Sequence, residues 1–177
     1  MKKLKNSELN RISSEEFKSS IKTPIKVLLD NIRSAHNVGS IFRTCDAFLI
    51  DEIILCGITA TPPNNEIRKT ALGSTESMNW SYVENIENAI IKLKKEKYHI
   101  VSVEQADKST MIENFKADSS KKYAVIFGNE IKGVSQNIVD LSDDVVEIPQ
   151  YGTKHSLNVS VSSGIVLWDF FLKINTT

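Results

Sequence analysis

The chain has 177 residues, 41% of them hydrophobic, which is enough for one compact domain with a buried core. Its 22 Lys and Arg residues equal its 22 Asp and Glu residues, which excludes a strongly basic protein that coats nucleic acid and leaves any RNA contact to local patches. No apolar run is long enough to cross a bilayer, and the basic N-terminus lacks the apolar segment of a signal peptide, so a cytoplasmic protein is expected.

In chain order, the apolar pattern predicts a short capped helix over 14–17, a buried strand over 26–32, a helix over 38–50, a strand over 52–57, a loop over 59–70, a strand over 80–83, a helix over 86–97, strands over 99–104, 123–128 and 145–149, and a closing helix over 159–173. This alternation predicts an α/β domain with a mainly parallel sheet and helices on both faces. Ligands of such sheets bind beyond the carboxyl ends of the strands, so chemistry is expected in the loops after Leu29, Phe127 and Ile148.

The first 22 residues form a basic segment, with Lys2, Lys3, Lys5, Arg11, Lys18 and Lys22 against Glu8, Glu15 and Glu16. We predict a short basic and helical N-terminal extension over residues 1–24 and a single domain over residues 25–177. RNA is expected to contact this extension together with Arg68 and Lys69 of the 59–70 loop. The alternative is a solvated terminus with no binding role.

The first of the three loops carries the pattern N-x-G-x-x-x-R, made by Asn37, Gly39 and Arg43. Asn37 stands where a helix is expected to start, and asparagine caps helices well. Gly39 permits close approach of another backbone or a ligand. Arg43 lies further along the helix and is expected to point at the same mouth of the sheet. The alternative is a helix cap followed by a surface arginine.

The second loop, FGNEIKGVS over 127–135, follows the apolar strand AVIF. Gly128 and Gly133 are spaced like the glycines of a phosphate-binding loop, but such a loop needs Lys where Val134 stands, so nucleotide hydrolysis is disfavoured. The backbone groups of this loop can still bind an adenine or a ribose. Glu130 is its one acid, and the alternative role for it is a partner of the dipole of the following helix.

The third loop covers 148–164, with Pro149 ending a strand and small polar side chains leading into the last helix. Ser156, Asn158 and Ser160 are those side chains. Hydroxyl and amide groups at this position are also a common structural cap.

Together and in this order, the three segments resemble the motifs of the SpoU/TrmH family of RNA 2′-O-ribose methyltransferases, part of the SPOUT superfamily. The stretch RKTALGSTESMNW over 68–80 is also similar to the middle region of that family, and the resemblance covers about residues 25–173. It implies a domain whose C-terminal segment is threaded into a deep trefoil knot, a homodimer, and S-adenosylmethionine as the cofactor. The substrate it implies is RNA, either tRNA or rRNA.

The resemblance also implies roles for individual residues. The expected catalytic residues are Asn37, Arg43, Glu130, Ser156 and Asn158. The expected cofactor-binding residues are Gly128, Asn129, Glu130, Gly133, Ile148, Ser156, Leu157 and Asn158. The expected RNA-binding residues are Arg43, Arg68, Lys69 and Ser160.

The chemistry of the site is expected to need no metal, because the three histidines are far apart in sequence and the two cysteines, Cys45 and Cys56, lack ligand spacing and are expected to be reduced and buried. Since a guanidinium stays protonated, Arg43 is expected to hold an RNA phosphate and orient the 2′-hydroxyl rather than act as a base. Two alternatives are a catalytically silent RNA-binding relative and a dinucleotide-dependent oxidoreductase. The sequence argues against the oxidoreductase, because no G-x-G-x-x-G motif follows the first predicted strand.

Overall fold

The computed structural model describes residues 1–175, in which seven strands form a single sheet. In chain order the elements are α1 (Ser14–Ser19), β1 (Thr23–Asp30), α2 (Ala35–Ala47), β2 (Ile50–Cys56), α3 (Asn65–Ala71), α4 (Ser74–Ser77), β3 (Trp80–Val83), α5 (Ile86–Lys95), β4 (Tyr98–Val103), β5 (Thr110–Met111), β6 (Lys122–Phe127), α6 (Gln136–Leu141), β7 (Asp144–Glu147) and α7 (Val159–Asn175), with 3-10 turns at Asn6–Glu8 and Ile112–Asn114.

The sheet has the strand order β3-β2-β1-β6-β4-β7-β5, and every pairing is parallel. Side chains of the central strands alternate between two buried layers. Val27, Leu29 and Phe127 face the layer that includes residues of α2 and α7, while Leu28 and Ile126 face the layer that includes residues of α5 and α6. This confirms the α/β prediction of a parallel sheet with helices on both faces, because each face of a buried sheet must be covered.

The path of the C-terminal half is unusual for a parallel sheet. The chain runs from β4 to β5 at the edge and then returns, so that β6 lies between β1 and β4. Strand β7 then lies between β4 and β5 and pairs with both. The deep trefoil knot that the resemblance implies stays a prediction.

The structure corrects the prediction of a loop over 59–70, because α3 begins at Asn65. Asn64 caps this helix, and its side-chain oxygen accepts hydrogen bonds from the backbone N–H of Glu66 and Ile67 at 2.8 and 3.2 Å. Ile67 and Ala71 then bury one face of the helix. The segment therefore carries a helix start signal, Asn64, directly after a pair of prolines that favours a loop.

Other element boundaries differ from the predictions by a few residues, and α4, β5 and α6 are too short to give a periodic signal. The boundary between α2 and β2 is set at Leu49, whose φ of 52° is left-handed and ends the helix before Ile50 starts the strand. Phe17 of α1 is buried in the same core as the sheet, and β1 begins at Thr23. The division at residue 24 stays a prediction.

Both cysteines are buried and unpaired, as predicted, and burial raises the pKa of each thiol. No helix within residues 1–175 has the length and apolar character needed to cross a membrane.

Candidate active site

A pocket of about 310 Å³ opens at the carboxyl ends of β4, β6 and β7. Its walls come from the loop after Phe127, from the segment after Glu147 and from the residues that lead into α7. Parallel strands bring these loops to one edge of the sheet, where ligands of this architecture bind. Two of the three loops singled out in the sequence therefore form one cavity.

The loop after β6 is compact because two glycines permit close approach of its ends. A Cβ atom on Gly128 would overlap the backbone of Gly133, and one on Gly133 would overlap the carboxylate of Glu104. Gly133 also has a φ of 64°, a conformation that strains any other residue. Both glycines, predicted to bind the cofactor, are required for the shape of the pocket wall.

Glu104 is a residue of this site that the sequence analysis missed. Its carboxylate accepts hydrogen bonds from the backbone N–H of Val134 at 2.7 Å and of Gln105 at 2.8 Å. The amide of Gln105 in turn donates to the backbone oxygen of His155 at 2.8 Å. Glu104 directly follows β4, so the same rule that selected three loops by their strand ends would have selected this fourth one.

Glu130 connects the loop after β6 to the start of α2. Its two carboxylate oxygens accept hydrogen bonds from the backbone N–H of Arg33 at 2.9 Å, the backbone N–H of Ser34 at 3.1 Å and the side-chain amide of Asn37 at 3.1 Å. Burial raises the pKa of Glu130, but these hydrogen bonds outweigh it and hold the pKa below its ordinary value. The carboxylate therefore acts on α2 and not on the following helix, which was the alternative considered for it.

Asn37 lies within the first turn of α2 and is not its cap, which corrects the prediction. Ser34 is the cap, and its hydroxyl accepts a hydrogen bond from the backbone N–H of Asn37 at 3.3 Å. Because the capping position belongs to Ser34, the side chain of Asn37 is available for contacts with the other loops.

The side chain of Asn37 connects Glu130 to the third loop by hydrogen bonds. Its oxygen accepts a hydrogen bond from the amide of Asn158 at 3.2 Å. The oxygen of Asn158 accepts from the backbone N–H of Ser160 at 2.9 Å and from its hydroxyl at 2.6 Å. Glu130, Asn37, Asn158 and Ser160, predicted on three separate loops, thus form one hydrogen-bonded chain, here named the polar relay.

Four further predicted residues lie at or beside the pocket. Ile148, Ser156 and Leu157 line it directly. Asn129 also lines it, but its side chain is engaged within the protein, donating to the backbone oxygen of Asn31 at 2.7 Å and accepting from the N–H of Ile131 at 2.9 Å. Asn129 therefore shapes the loop with its side chain and leaves only its backbone for a ligand.

Arg43 is not among the residues that line the pocket. It is exposed on α2 and lines a separate groove together with Ser40, Lys69, Thr70 and Gly164. Within residues 1–175 its guanidinium has no hydrogen bond or ion pair. Arg43 therefore does not point into the pocket at the strand ends, as was expected. Its guanidinium instead faces solvent beside α7.

Arg68 and Lys69 lie in the last turn of α3. Lys69 pairs with Glu66 at 2.7 Å, an exposed pair that contributes little to stability. No group of three or more His, Cys, Asp or Glu side chains suited to a metal ion occurs in the described part of the chain.

A sequence model described as the SpoU rRNA Methylase family matches residues 24–168, which include all four residues of the polar relay and both loop glycines. The chain belongs to this family. The match confirms the resemblance inferred from the three motifs and argues against the oxidoreductase alternative.

Individual relatives agree with the family match. The chain is 35% identical over 148 residues to a tRNA (guanosine(18)-2′-O)-methyltransferase of Aquifex aeolicus, over 81% of this chain and 66% of that protein. Among solved structures, it is similar to an A. aeolicus TrmH/SpoU tRNA modifying enzyme with a TM-score of 0.80 and 27% identity, over 90% of this chain and 80% of that one.

A second solved structure, an AdoMet-bound rRNA methyltransferase from Sinorhizobium meliloti, matches with a TM-score of 0.77 and 28% identity, over 85% of this chain and 56% of that one. The chain thus spans 66% of the curated relative from A. aeolicus and little more than half of the S. meliloti protein.

Proposed function

We propose that this protein transfers a methyl group from S-adenosylmethionine to a ribose 2′-hydroxyl of tRNA or rRNA. The observation that carries the proposal is the polar relay, which joins three distant loops beside a pocket at the carboxyl ends of the strands. Membership of the SpoU family supports it, as does the AdoMet-bound state of a relative of the same fold.

The pocket fits a cofactor of this kind in size and in chemistry. Its volume of about 310 Å³ lies at the lower end of the range of small-molecule sites. Phe127, Ile148 and Leu157 offer an apolar surface to a purine ring, while the Gly128–Gly133 loop lines the pocket and offers backbone groups for hydrogen bonds to the cofactor. Glu147 in the wall supplies a carboxylate for the positively charged end of the molecule.

S-adenosylmethionine supplies an electrophilic methyl group on a sulfonium, so the protein residues need only bind, orient and balance charge. Glu130 fixes Asn37 and the first turn of α2 against the pocket loop. Asn37 and Asn158 then set the distance between that turn and the start of α7. Orientation of two reactants is itself a large catalytic contribution.

Arg43 is proposed to hold an RNA phosphate with its planar guanidinium and to orient the 2′-hydroxyl. No residue in the described range 1–175 engages its guanidinium, so all its donors are available for this. The proton of the hydroxyl leaves to the phosphate or to water, since an arginine stays protonated.

We also propose that the protein works as a homodimer, without a metal, in the cytoplasm, where tRNA and rRNA are found. The dimer is supported by an exposed apolar stripe on α7, namely Val161, Ile165 and Trp168. Arg43 borders the same surface through the groove that it shares with Gly164. A second copy packed on this stripe would cover the groove and bring Arg43 close to the partner subunit.

The test is methyl transfer by the purified chain from radiolabelled S-adenosylmethionine to bulk tRNA and rRNA, with a chelator present. Alkaline hydrolysis should leave the label in uncleaved dinucleotides, because a methylated 2′-oxygen cannot attack its neighbouring phosphate. Label in single nucleotides would mean that a base is methylated instead. Cofactor binding without transfer to either RNA would favour the silent RNA-binding alternative, and binding that requires added metal would contradict the metal-free proposal.

A further inference from the structure

A second groove, separate from the pocket and the polar relay, lies between α3, α4 and the start of β3. Its volume is about 500 Å³, and its walls include Trp80, Pro62, Pro63, Asn65, Arg68 and Glu76. None of the described residues lines both this groove and the pocket at the strand ends. We name it the Trp80 groove.

Three polar side chains of the Trp80 groove are not engaged by other described residues. Among residues 1–175, the indole N–H of Trp80, the guanidinium of Arg68 and the carboxylate of Glu76 have no hydrogen bond or ion pair. Tyr82, two residues further along the same edge strand, differs because its hydroxyl donates to the backbone oxygen of Gly57 at 3.1 Å. The groove thus presents an aromatic face and free donors and acceptors to a ligand.

The charge of the groove favours a neutral ligand over a phosphate. One cation, Arg68, and one anion, Glu76, face the same space, while the nearby Lys69 is already paired with Glu66. A nucleobase has a face that stacks on an indole and an edge that carries both donors and acceptors. A phosphate would be repelled by Glu76 and would gain nothing from the ring.

The position of the groove connects it to the polar relay through α3. The hydroxyl of Thr70 donates to the backbone oxygen of His36 at 2.9 Å, and the ring of His36 lies 2.6 Å from the carboxylate of Glu66. His36 directly precedes Asn37 of the relay. Packed helices lie about 8–10 Å apart, so one RNA strand can reach both the relay and the far side of α3.

We infer that the Trp80 groove binds an unpaired nucleobase of the substrate RNA, on a nucleotide other than the one that is methylated. The base stacks on the indole of Trp80, and Arg68, Asn65 and Glu76 contact its edge. This inference rests on the proposed function, which names RNA as the substrate. The groove would then select a substrate with a single-stranded nucleotide at a fixed distance from the target ribose.

The experiment compares the full chain with Trp80→Ala and Trp80→Phe, using bulk tRNA and rRNA as methyl acceptors. Since stacking on an aromatic side chain contributes about 1–3 kcal/mol per base, Trp80→Ala should raise the KM for RNA by about 5-fold to about 150-fold. The kcat and the affinity for S-adenosylmethionine should stay within twofold. Trp80→Phe keeps an aromatic face and should raise the KM by less than Trp80→Ala.

The matched control is Tyr82→Ala, which removes an exposed aromatic side chain from the same strand but not from the groove. It should leave the KM for RNA within twofold. An unchanged KM in Trp80→Ala, or equal losses in the two alanine variants, would overturn the inference. Thermal melting and cofactor affinity report whether each variant is folded. If Trp80→Ala does not fold, the KM of Trp80→Phe is compared with that of the wild type instead.

A direct binding measurement separates this inference from the proposed function. Fluorescence anisotropy of labelled hexauridylate and hexaadenylate requires no methyl transfer. If the wild-type chain methylates no RNA but binds these oligonucleotides more tightly than Trp80→Ala does, the groove is a base site and the proposed function is wrong. If both proteins bind them equally, the groove is not a base site, whatever the chain methylates.

Discussion

Glu130 is the residue on which the arrangement of the site depends most. Its two carboxylate oxygens accept three hydrogen bonds from the turn that begins α2. One of the donors, Asn37, is 93 residues away from Glu130 in the sequence. The hydrogen bonds favour the ionised form, so the pKa of Glu130 lies below its ordinary value despite burial. The contribution of this group to stability therefore depends on pH.

We expect Glu130→Gln to lower the free energy of unfolding by about 1–2 kcal/mol at pH 7, because one N–H donor would then face an amide NH2 group. A group with a lowered folded-state pKa stabilises above its unfolded pKa and loses this effect as the pH falls through the folded value. The difference between wild type and variant should therefore shrink below about pH 4.5, the ordinary value. Urea unfolding at several pH values measures it.

Glu113→Gln is the matched control, since Glu113 is exposed and has no hydrogen-bond partner within residues 1–175. It should change stability by less than about 0.5 kcal/mol at every pH. A Glu130→Gln difference that stays constant from pH 7 to pH 3 would contradict the assignment of the ionised carboxylate to the turn.

Arg43→Ala should abolish methyl transfer while the affinity for S-adenosylmethionine stays within a few-fold. The reason is that Arg43 lies outside the pocket proposed for the cofactor and has no partner among the described residues, so its loss should affect RNA binding and the transition state alone. Arg43→Lys should also be inactive, because an ammonium cannot reproduce the planar fork of a guanidinium. Turnover and calorimetric titration of the cofactor measure the two effects, and near-normal turnover in the lysine variant would refute bidentate binding.

At the scale of elements, the loop over 128–134 between β6 and α6 is closely packed at both of its glycines. Gly128 packs against the backbone of Gly133, and Gly133 packs against the carboxylate of Glu104, which follows another strand. Asn129 closes the loop, because its backbone oxygen accepts from the N–H of Gly133 at 2.8 Å. A change at either glycine must therefore alter the pocket wall.

Gly133→Ala should weaken binding of S-adenosylmethionine by at least about tenfold, since the added Cβ displaces Glu104 from the N–H of Val134. It should also lower stability by about 1–2 kcal/mol because alanine is strained at this positive φ. Gly152→Ala is the control in a neighbouring loop, where a Cβ would meet no described atom within 4 Å. Calorimetry and thermal melting of both variants test this, and equal cofactor affinities would contradict the proposed position of the cofactor.

For the whole molecule, the outer face of α7 carries an exposed apolar stripe, which we propose is covered by a second copy of the chain. Val161, Ile165 and Trp168 follow helical spacing and are 51%, 39% and 49% exposed. Trp168 stacks on Phe171 with ring centroids 6.1 Å apart, and both rings lie near Phe48. Trp168 is exposed, whereas Phe171 and Leu172 on the same helix are partly buried.

Light scattering on the purified chain should give twice the monomer mass of 19.8 kDa. Ile165→Glu should shift the protein toward the monomer, because a charge in the centre of an apolar interface is left without a partner. Ile91→Glu, at a residue of α5 that is 48% exposed and far from the stripe in sequence, should remain dimeric. A monomer mass for the wild type at micromolar concentration would contradict the dimer.

The sequence by itself determined the features that depend on neighbouring residues. Alternating apolar runs predicted the parallel sheet, and strand ends predicted the loops that hold Gly128, Glu130 and Asn158. Even the family follows from motifs that lie within single loops. Local patterns suffice here because the apolar period that distinguishes a helix from a strand is visible over a few neighbouring residues.

Only the tertiary structure decided which side chains meet. The sequence predicted a loop where the structure has α3. Asn64 acts as a cap only because Ile67 and Ala71 of this short helix are buried against the rest of the protein. Asn37 and Asn158 are 121 residues apart, and Glu104 reaches Val134 only because β4 and β6 are neighbours. Arg43, expected at the pocket, lines a different groove. Such contacts depend on the strand order and on the path of the C-terminal segment, which no local pattern encodes.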